Sequence, residues 1–328
     1  MENPHDAEKY QPFVVFVVLN WNQAALTLDC LRSLSLQAYS NFKVIVVDNG
    51  SSDGSPSIIK KEFPGVIVLE NEKNLGYSEG NNVGIRAAQS LSPGYIFLLN
   101  NDTVVDPAML SRLVSVAETD RKIGIVGPTM YYFDPPDMLW GGENRIDWTR
   151  GAVIRMRMGE RIGNDTLKTQ IPKKTAYIDS CAMLVRAEVF EKVGFLDGNF
   201  FINYDDLDLN VRAVDAGYEV VYVPAAFMWH KVSAAMGLAS PATTYYMTRN
   251  SLLFFWKHSP ASLKLVSVLR ILLRTFRTLM AWTFLPSYHD GKYTLKKNAL
   301  LYAVRDFITK RFGKMGSEVS LKCSSMLK

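Results

Sequence analysis

The chain has 328 residues, 48% hydrophobic and 21% charged, with 37 Lys+Arg against 32 Asp+Glu for a formal net charge of +5. That length suits one large domain or two modest ones, and the composition excludes a disordered polymer. So mild a basic excess is no nucleic-acid signature, and no nucleic-acid partner is expected. Three cysteines, Cys30, Cys181 and Cys323, lie far apart without CxxC or Cys/His spacing. This argues against a disulfide framework or a zinc site and for reduced cytosolic thiols.

Residues 1–12 (MENPHDAEKYQP) carry acids and no apolar stretch, so they read as a tail and not as a secretory signal. Residues 13–19 (FVVFVVL) are continuously apolar and β-branched, the pattern of a strand buried on both faces. Leu26, Leu28, Leu31 and Leu34 then suggest an amphipathic helix. A second strand, 42–48, ends in the turn NGSSDGS, and a short helix over 56–63 follows. Strands over 66–70 and 94–100 bracket a helix that includes SEGNNVGIRAAQSL, and a helix at 107–118 precedes a strand at 123–128. Residues 133–175 read as a long, irregular polar region. Residues 175–194 read as a strand and then a helix, and 204–218 (YDDLDLNVRAVDAGY) as a helix opening on acids that suit its macrodipole. Asp208 and Asp215 are expected to be solvated acids on that helix, Trp21 and Trp229 core aromatics, and Cys181 a small buried hydrophobe.

Alternating strands and helices predict an α/β fold with a mainly parallel central sheet flanked by helices, over residues 13–240. Residues 241–328 form a C-terminal helical, basic amphipathic extension. Within it, 262–285 is apolar enough to suggest a membrane span but contains Lys264, Arg270, Arg274 and Arg277. A charge at the bilayer centre costs roughly 2.5–3.5 kcal/mol, which argues against a simple span. Spacings of four and three put the arginines on one helix face. Two readings stay open: a helix lying in a membrane interface, with 262–315 as the contact, or a packed helix with a solvated basic stripe.

In open parallel sheets, ligands bind beyond the carboxyl ends of the strands. Asn20, Asp48 and the cluster Asn100, Asn101, Asp102 stand there; FLLNNDTVV (97–105) runs a buried strand straight into that cluster. Asp205 and Asp206 open a helix, and His230 follows VPAAFMW. A divalent cation fits such a setting: Mg²⁺ takes few carboxylates plus phosphate oxygens, and a histidine shifts preference towards Mn²⁺. Asp48 and Asp53 have a second reading, as organisers of the turn DNGSSDG.

Six stretches, VVLNWN (17–22), VIVVDNGSSDGS (44–55), NEKNLGYSEGNNVGIRAA (71–88), FLLNNDT (97–103), FLDGNFFINYDDLDLNVRAVDAGY (195–218) and WHKVSAAMG (229–237), together resemble a family 2 glycosyltransferase of GT-A fold. The likeness is to its bacterial rhamnosyltransferase-like branch, in which a Tyr–Arg–Asn segment like YYMTRNSLLFFWKH (245–258) follows the catalytic domain. The resemblance implies roles. Asn20 and Asn22 would line the nucleotide pocket. Asp48, with Asn49 and Asp53 on the same loop, would meet the base or ribose. Asn74, Gly76, Asn81, Asn82 and Asn101 would lie near the sugar-nucleotide. Asp102 would hold the metal that bridges the diphosphate, with His230 completing the shell. Asp206 would be the general base, with Asp205 beside it in place of the family's glutamate. Asn100 replaces the first acid of the family's DxD motif, and Glu79 stands where many relatives have glycine.

The resulting expectation is an inverting, metal-dependent transfer of sugar from dTDP-rhamnose or a UDP-sugar to a lipid-linked glycan in bacterial surface-polysaccharide assembly. The enzyme would work on the inner face of the cytoplasmic membrane. A sugar-phosphate nucleotidyltransferase is the rival, but residues 13–30 contain no Gly, Lys or Arg for a phosphate loop. A non-catalytic nucleotide-sugar or glycan-binding protein is the other, and the joint presence of Asp102, Asp206 and His230 counts against it.

Overall fold

A computed structural model of the chain describes residues 11–231, 240–288 and 291–324. Most of the expected N-terminal tail (1–10) and the end of WHKVSAAMG (232–237) lie outside the described residues. The first half runs β1 (Val14–Asn20), α1 (Ala24–Leu34), β2 (Phe42–Asp48), α2 (Ser55–Glu62), β3 (Ile67–Glu70), α3 (Gly76–Gln89) and β4 (Tyr95–Asn100). β1 is hydrogen-bonded in parallel to β2 on one side and β4 on the other, and β2 to β3. Helices cover both faces of such a unit, so an uninterrupted apolar strand is what β1 needs. α3 lies directly on β1: a Cβ on Gly84 would come within 2.3 Å of Val17.

β5 (Thr103–Val105), α4 (Met109–Ala117) and β6 (Ile123–Tyr132) follow. Residues 133–175 are not irregular as expected. They hold β7 (Leu139–Gly141), β8 (Asn144–Asp147), β9 (Ala152–Arg155), α5 (Asn164–Lys168) and β10 (Lys173–Lys174). Strands of two to four residues are too short to show a period of two, which is why the pattern hid them. β8 and β9 pair with each other as a separate antiparallel ribbon.

β11 (Ala182–Arg186), α6 (Ala187–Val193), α7 (Asp205–Asp215) and β12 (Glu219–His230) come next. β11 enters antiparallel between β4 and β6, giving the mixed order β10-β12-β6-β11-β4-β1-β2-β3. β12 runs parallel to β6, with a register shift between Val223 and Phe227 where Pro224 lacks the N–H a ladder requires. Its end then pairs antiparallel with β5.

Among the described residues the chain continues with four α-helices: α8 (Pro241–His258), α9 (Lys264–Phe284), α10 (Gly291–Ile308) and α11 (Ser317–Ser324). Ser240 caps α8 by accepting from Thr243 N at 3.0 Å, with Pro241 in the first turn where no donor is needed. Phe254 and Phe255 of α8 and Val268 and Ile271 of α9 form a second core with Tyr177, Phe200, Tyr204 and Leu207. Only Ser267, Val268 and Ile271 of the 21 residues in α9 are buried. The helix therefore leaves Leu265, Leu269, Leu273 and Phe276 as an exposed apolar ridge, with Arg270 and Arg277 exposed beside it. Among the described residues, no helix is long and apolar enough to cross a membrane.

Candidate active site

The carboxyl ends of β1, β2 and β4 open on a cleft of about 180 Å³ lined by Trp21, Asn49, Asn74, Gly76, Asn101 and Asp102, among others. Asn49 organises its floor: Nδ2 donates to Gly76 O (3.0 Å) and Asn74 Oδ1 (3.2 Å), and Oδ1 accepts from Leu75 N (3.1 Å). Gly76 has φ +86°, and a Cβ there would meet the Phe201 ring at 2.4 Å, so the position requires glycine. Asn20 and Asp48 lie just behind the cleft. Asp48 is 1% exposed and accepts from Asn20 Nδ2 (2.7 Å), Ser51 N (2.8 Å) and Ser51 Oγ (2.6 Å). Asn22 Oδ1 accepts from Ser52 N, and Asp53 Oδ1 accepts from Ser55 N, so both secure the same turn. Asn81 and Asn82 line neither this cleft nor the cavity next to it. Asn82 is spent on both backbone groups of Leu196 (2.9 and 3.0 Å), and Asn81 donates to Tyr77 O. Trp21 is not a core aromatic as expected: it is 42% exposed at the cleft wall. Trp229 does pack, stacked on Tyr131.

The β5–β12 pairing sets His230 opposite Thr103, which brings its ring to Asp102. His230 Nε2 lies 3.1 Å from Asp102 Oδ1, and the other ring nitrogen, Nδ1, is buried without a partner. Two donor atoms at that separation suit neighbouring corners of an octahedron with bonds of about 2.1 Å. Among the described residues no third His, Cys, Asp or Glu joins them. The pair thus fits a hard cation that draws its remaining ligands from phosphate and water. Asn100 Oδ1 accepts from Tyr77 Oη at 2.9 Å, a bond an aspartate would also accept.

A second cavity of about 190 Å³ adjoins the cleft, sharing Tyr77, Asn100 and Ile202 with it and adding Asp205, Asp206 and His230. Asp206 also lines a third cavity of similar size on its far side, with Arg155, Tyr177 and Asp179. At the start of α7, Asp206 accepts from Ser180 N (3.1 Å) and Leu207 N (2.8 Å), while Asp205 accepts from Ser78 Oγ (3.2 Å). Asn210 ties α7 to the neighbouring segment through both backbone groups of Ile178, which sets Ser180 in reach. Burial, and secondly the charge of Asp206, pushes Asp205 well above the ordinary carboxylate range. Burial, and secondly Asp179, also raises Asp206, but less. Two carboxyls in one buried site favour a single ionised member. Asp206, with two backbone N–H groups donating to it, is the one placed to hold the charge.

Sequence reading missed Asp179 and Arg155. Arg155 Nη2 lies 2.5 Å from Asp179 Oδ1, and its guanidinium stacks over Trp140 at 4.2 Å. Both stand in stretches without motif signal, one of them on the unforeseen β9. Asp208 corrects an expectation too. It is not solvated but fully buried, bonded to Arg212, Lys257 and His258 at 2.7 Å each. Burial alone would raise it; His258, Arg212 and Lys257 together hold it down to about 2. Asp215 is exposed as expected, and Cys30, Cys181 and Cys323 are free and buried.

Comparison with known proteins settles the family. The profile of glycosyl transferase family 2 matches residues 15–194, more than half of the chain. The chain is a family 2 glycosyltransferase. It is 27% identical over 229 residues to the N-acetylglucosaminyl-diphospho-decaprenol L-rhamnosyltransferase of Mycobacterium tuberculosis (strain CDC 1551 / Oshkosh), covering 63% of this chain and 72% of the relative. Its fold is that of GT-A glycosyltransferases. The mannosyltransferase PcManGT of Pyrobaculum calidifontis, solved with GDP-Man and Mn²⁺, superposes with a TM-score of 0.58 at 16% identity over 92% of this chain and 89% of that one. S. aureus TarS 1-349 with UDP-GlcNAc gives a TM-score of 0.58 at 14% identity, over 90% and 81%. The family match stops before α7 and β12, so this glycosyltransferase's acid pair and His230 rest on the geometry above.

Proposed function

We propose that this glycosyltransferase moves a sugar from a nucleotide-sugar, dTDP-rhamnose or a UDP-sugar, to a hydroxyl of a lipid-linked glycan, by a single inverting displacement in bacterial cell-surface polysaccharide synthesis. The observation that carries the reading is the position of Asp206. Its ionised carboxylate borders the cavity that continues from the Asp102 cleft, so an acceptor hydroxyl there meets a base on one side and the donor on the other. Asp205 keeps its proton to higher pH and holds Ser78. The cleft takes the nucleotide-sugar: Trp21 offers a flat face, and Asn49, Asn74 and Asn101 offer amides. Asn20, Asn22, Asp48 and Asp53 keep the nucleotide loop in shape. A divalent cation, Mg²⁺ or Mn²⁺, bound at Asp102 and His230 would neutralise the leaving diphosphate as a Lewis acid. PcManGT, solved with Mn²⁺, supports a divalent cation in such a fold. The mycobacterial relative, named for a diphospho-decaprenol acceptor, supports a lipid-linked one.

The exposed ridge of α9, flanked by Arg270 and Arg277, supports a peripheral seat on an anionic membrane at the cytoplasmic face. The deciding experiment incubates the purified chain with UDP-, GDP- and dTDP-sugars, with Mg²⁺, Mn²⁺ or EDTA and lipid-linked acceptor extracts. Nucleotide release with metal and none with EDTA is expected; silence with every donor overturns the reading. For the membrane seat, the native chain should float with anionic vesicles while L269E/L273E sinks. Equal flotation, or a native dimer that L269E/L273E dissolves, assigns the ridge to something else.

A further inference from the structure

Asp205 and Asp206 follow a loop, 199–204, in which three non-glycine residues take left-handed backbone: Phe201 (φ +66°), Asn203 (+66°) and Tyr204 (+69°). L-residues avoid that region, and it persists only where surroundings over-determine it. One anchor comes from the donor side, where Phe201 O accepts from Tyr77 N (2.6 Å) and Ser78 N (3.2 Å) at the start of α3. The other comes from α8. Asn250 Nδ2 donates to Phe200 O (2.9 Å), Ile202 O (2.7 Å) and Asn203 O (3.0 Å). Arg249 Nη2 donates to Asn199 O (3.2 Å) and Phe200 O (3.1 Å), and Nη1 to Gly313 O (2.8 Å). Arg249 is 0% exposed, and among the described residues no carboxylate pairs with it directly. Its charge is met by these carbonyls, by Asn250 Oδ1 (3.0 Å), by Tyr245 Oη (3.3 Å), which donates on to Asp306 Oδ2 at 2.7 Å, and by the faces of Tyr245 and Tyr246, each 5.2 Å away. A buried guanidinium without a direct counter-ion is costly, and this one gives its whole Nη2 to the loop carbonyls and its other donors to Gly313 O, Asn250 Oδ1 and Tyr245 Oη.

We propose that Arg249 and Asn250 are positioning residues for transfer, clamping loop 199–204 so that Asp206 stays at the cavity that adjoins the donor cleft. The C-terminal helices are then part of the active site's frame as well as a surface appendage. The inference rests on Asp206 acting as the base, but half of its test needs no substrate. The full chain would be prepared as R249K, which keeps the charge and loses the planar fork, and as N250D, which turns the donors towards three carbonyls into a charged acceptor. Hydrogen exchange and nucleotide release would be measured at a temperature where both variants stay folded. Amides of 199–206 should exchange at least about tenfold faster while those of β1, β2 and β4 keep native rates. The kcat for transfer at saturating donor should fall by about tenfold or more in N250D and less in R249K. Unchanged exchange in 199–206 overturns the clamp, and so does exchange that rises evenly across the sheet. Native kcat with a loosened loop also overturns it. If the native chain releases nucleotide from no donor, the function reading fails and the exchange data still judge the clamp.

Discussion

The half of the molecule proposed for the donor and the half proposed for the acceptor solve different problems. In the donor half, strand ends of a parallel sheet carry short polar side chains that bond within their own turn or to the adjoining loop, as Asp48 does with Ser51 and Asn49 with Asn74. Neutral amides there shape a cleft, and Asp102, with His230 3.1 Å away, stands at its edge. In the acceptor half, carboxylates are buried in company: Asp205 with Asp206, Asp179 on Arg155, Asp208 on Arg212, Lys257 and His258. A strand-end cleft follows from topology alone, whereas a carboxylate poised to take a proton needs neighbours brought from several elements. Binding can therefore be damaged piecemeal, while chemistry depends on the assembly.

The largest effect should come from the acceptor half. Asp206→Asn is expected to lower kcat by about 10²- to 10⁴-fold and leave nucleotide affinity within about threefold, read by transfer assay and calorimetry. Near-native transfer would erase the division between the halves. Asp102→Ala tests their shared edge: the Mn²⁺ concentration for half-maximal rate should rise by more than about tenfold with His230 alone remaining. A pH profile separates the halves further. Asp206 must be ionised to act, so kcat falls as pH drops through its raised pKa, and that acid limb should lie above the ordinary aspartate value of about 3.9. Asp179→Asn removes a negative neighbour and leaves Arg155 uncompensated. Both changes favour the Asp206 carboxylate, so activity should persist to lower pH; an upward shift contradicts the assigned electrostatics. The smallest change belongs to the donor half: Trp21→Ala should raise donor KM by about three- to tenfold at constant kcat, the mark of uniform binding. A loss in kcat instead would mean that the cleft wall takes part in chemistry.

Much of the donor half was legible, because a parallel βαβ sheet announces itself in apolar runs and in the polar residues that end them. Asn20, Asp48 and Asp102 were placed correctly at strand ends on that pattern. Trp21 was misjudged, since nothing in the sequence says which side of the strand end faces solvent. Asp208 was misjudged because a helix pattern shows a polar position without showing that Lys257 and His258, some fifty residues on, will cover it.

By itself the sequence determined the local elements outside 133–175, their α/β order, the strand-end cluster and the acids opening α7, because these depend on residues close together in the chain. Tertiary structure alone decided the rest. It set His230 against Asp102 through β5–β12 pairing and brought Arg155, from an unforeseen ribbon, and Asp179, from the segment before β11, to Asp206. It also seated Arg249 and Asn250 under the loop that carries the acids. Those contacts join residues far apart in the chain, and burial, which gives their charges and amides force, is a property of the folded chain and not of any local pattern.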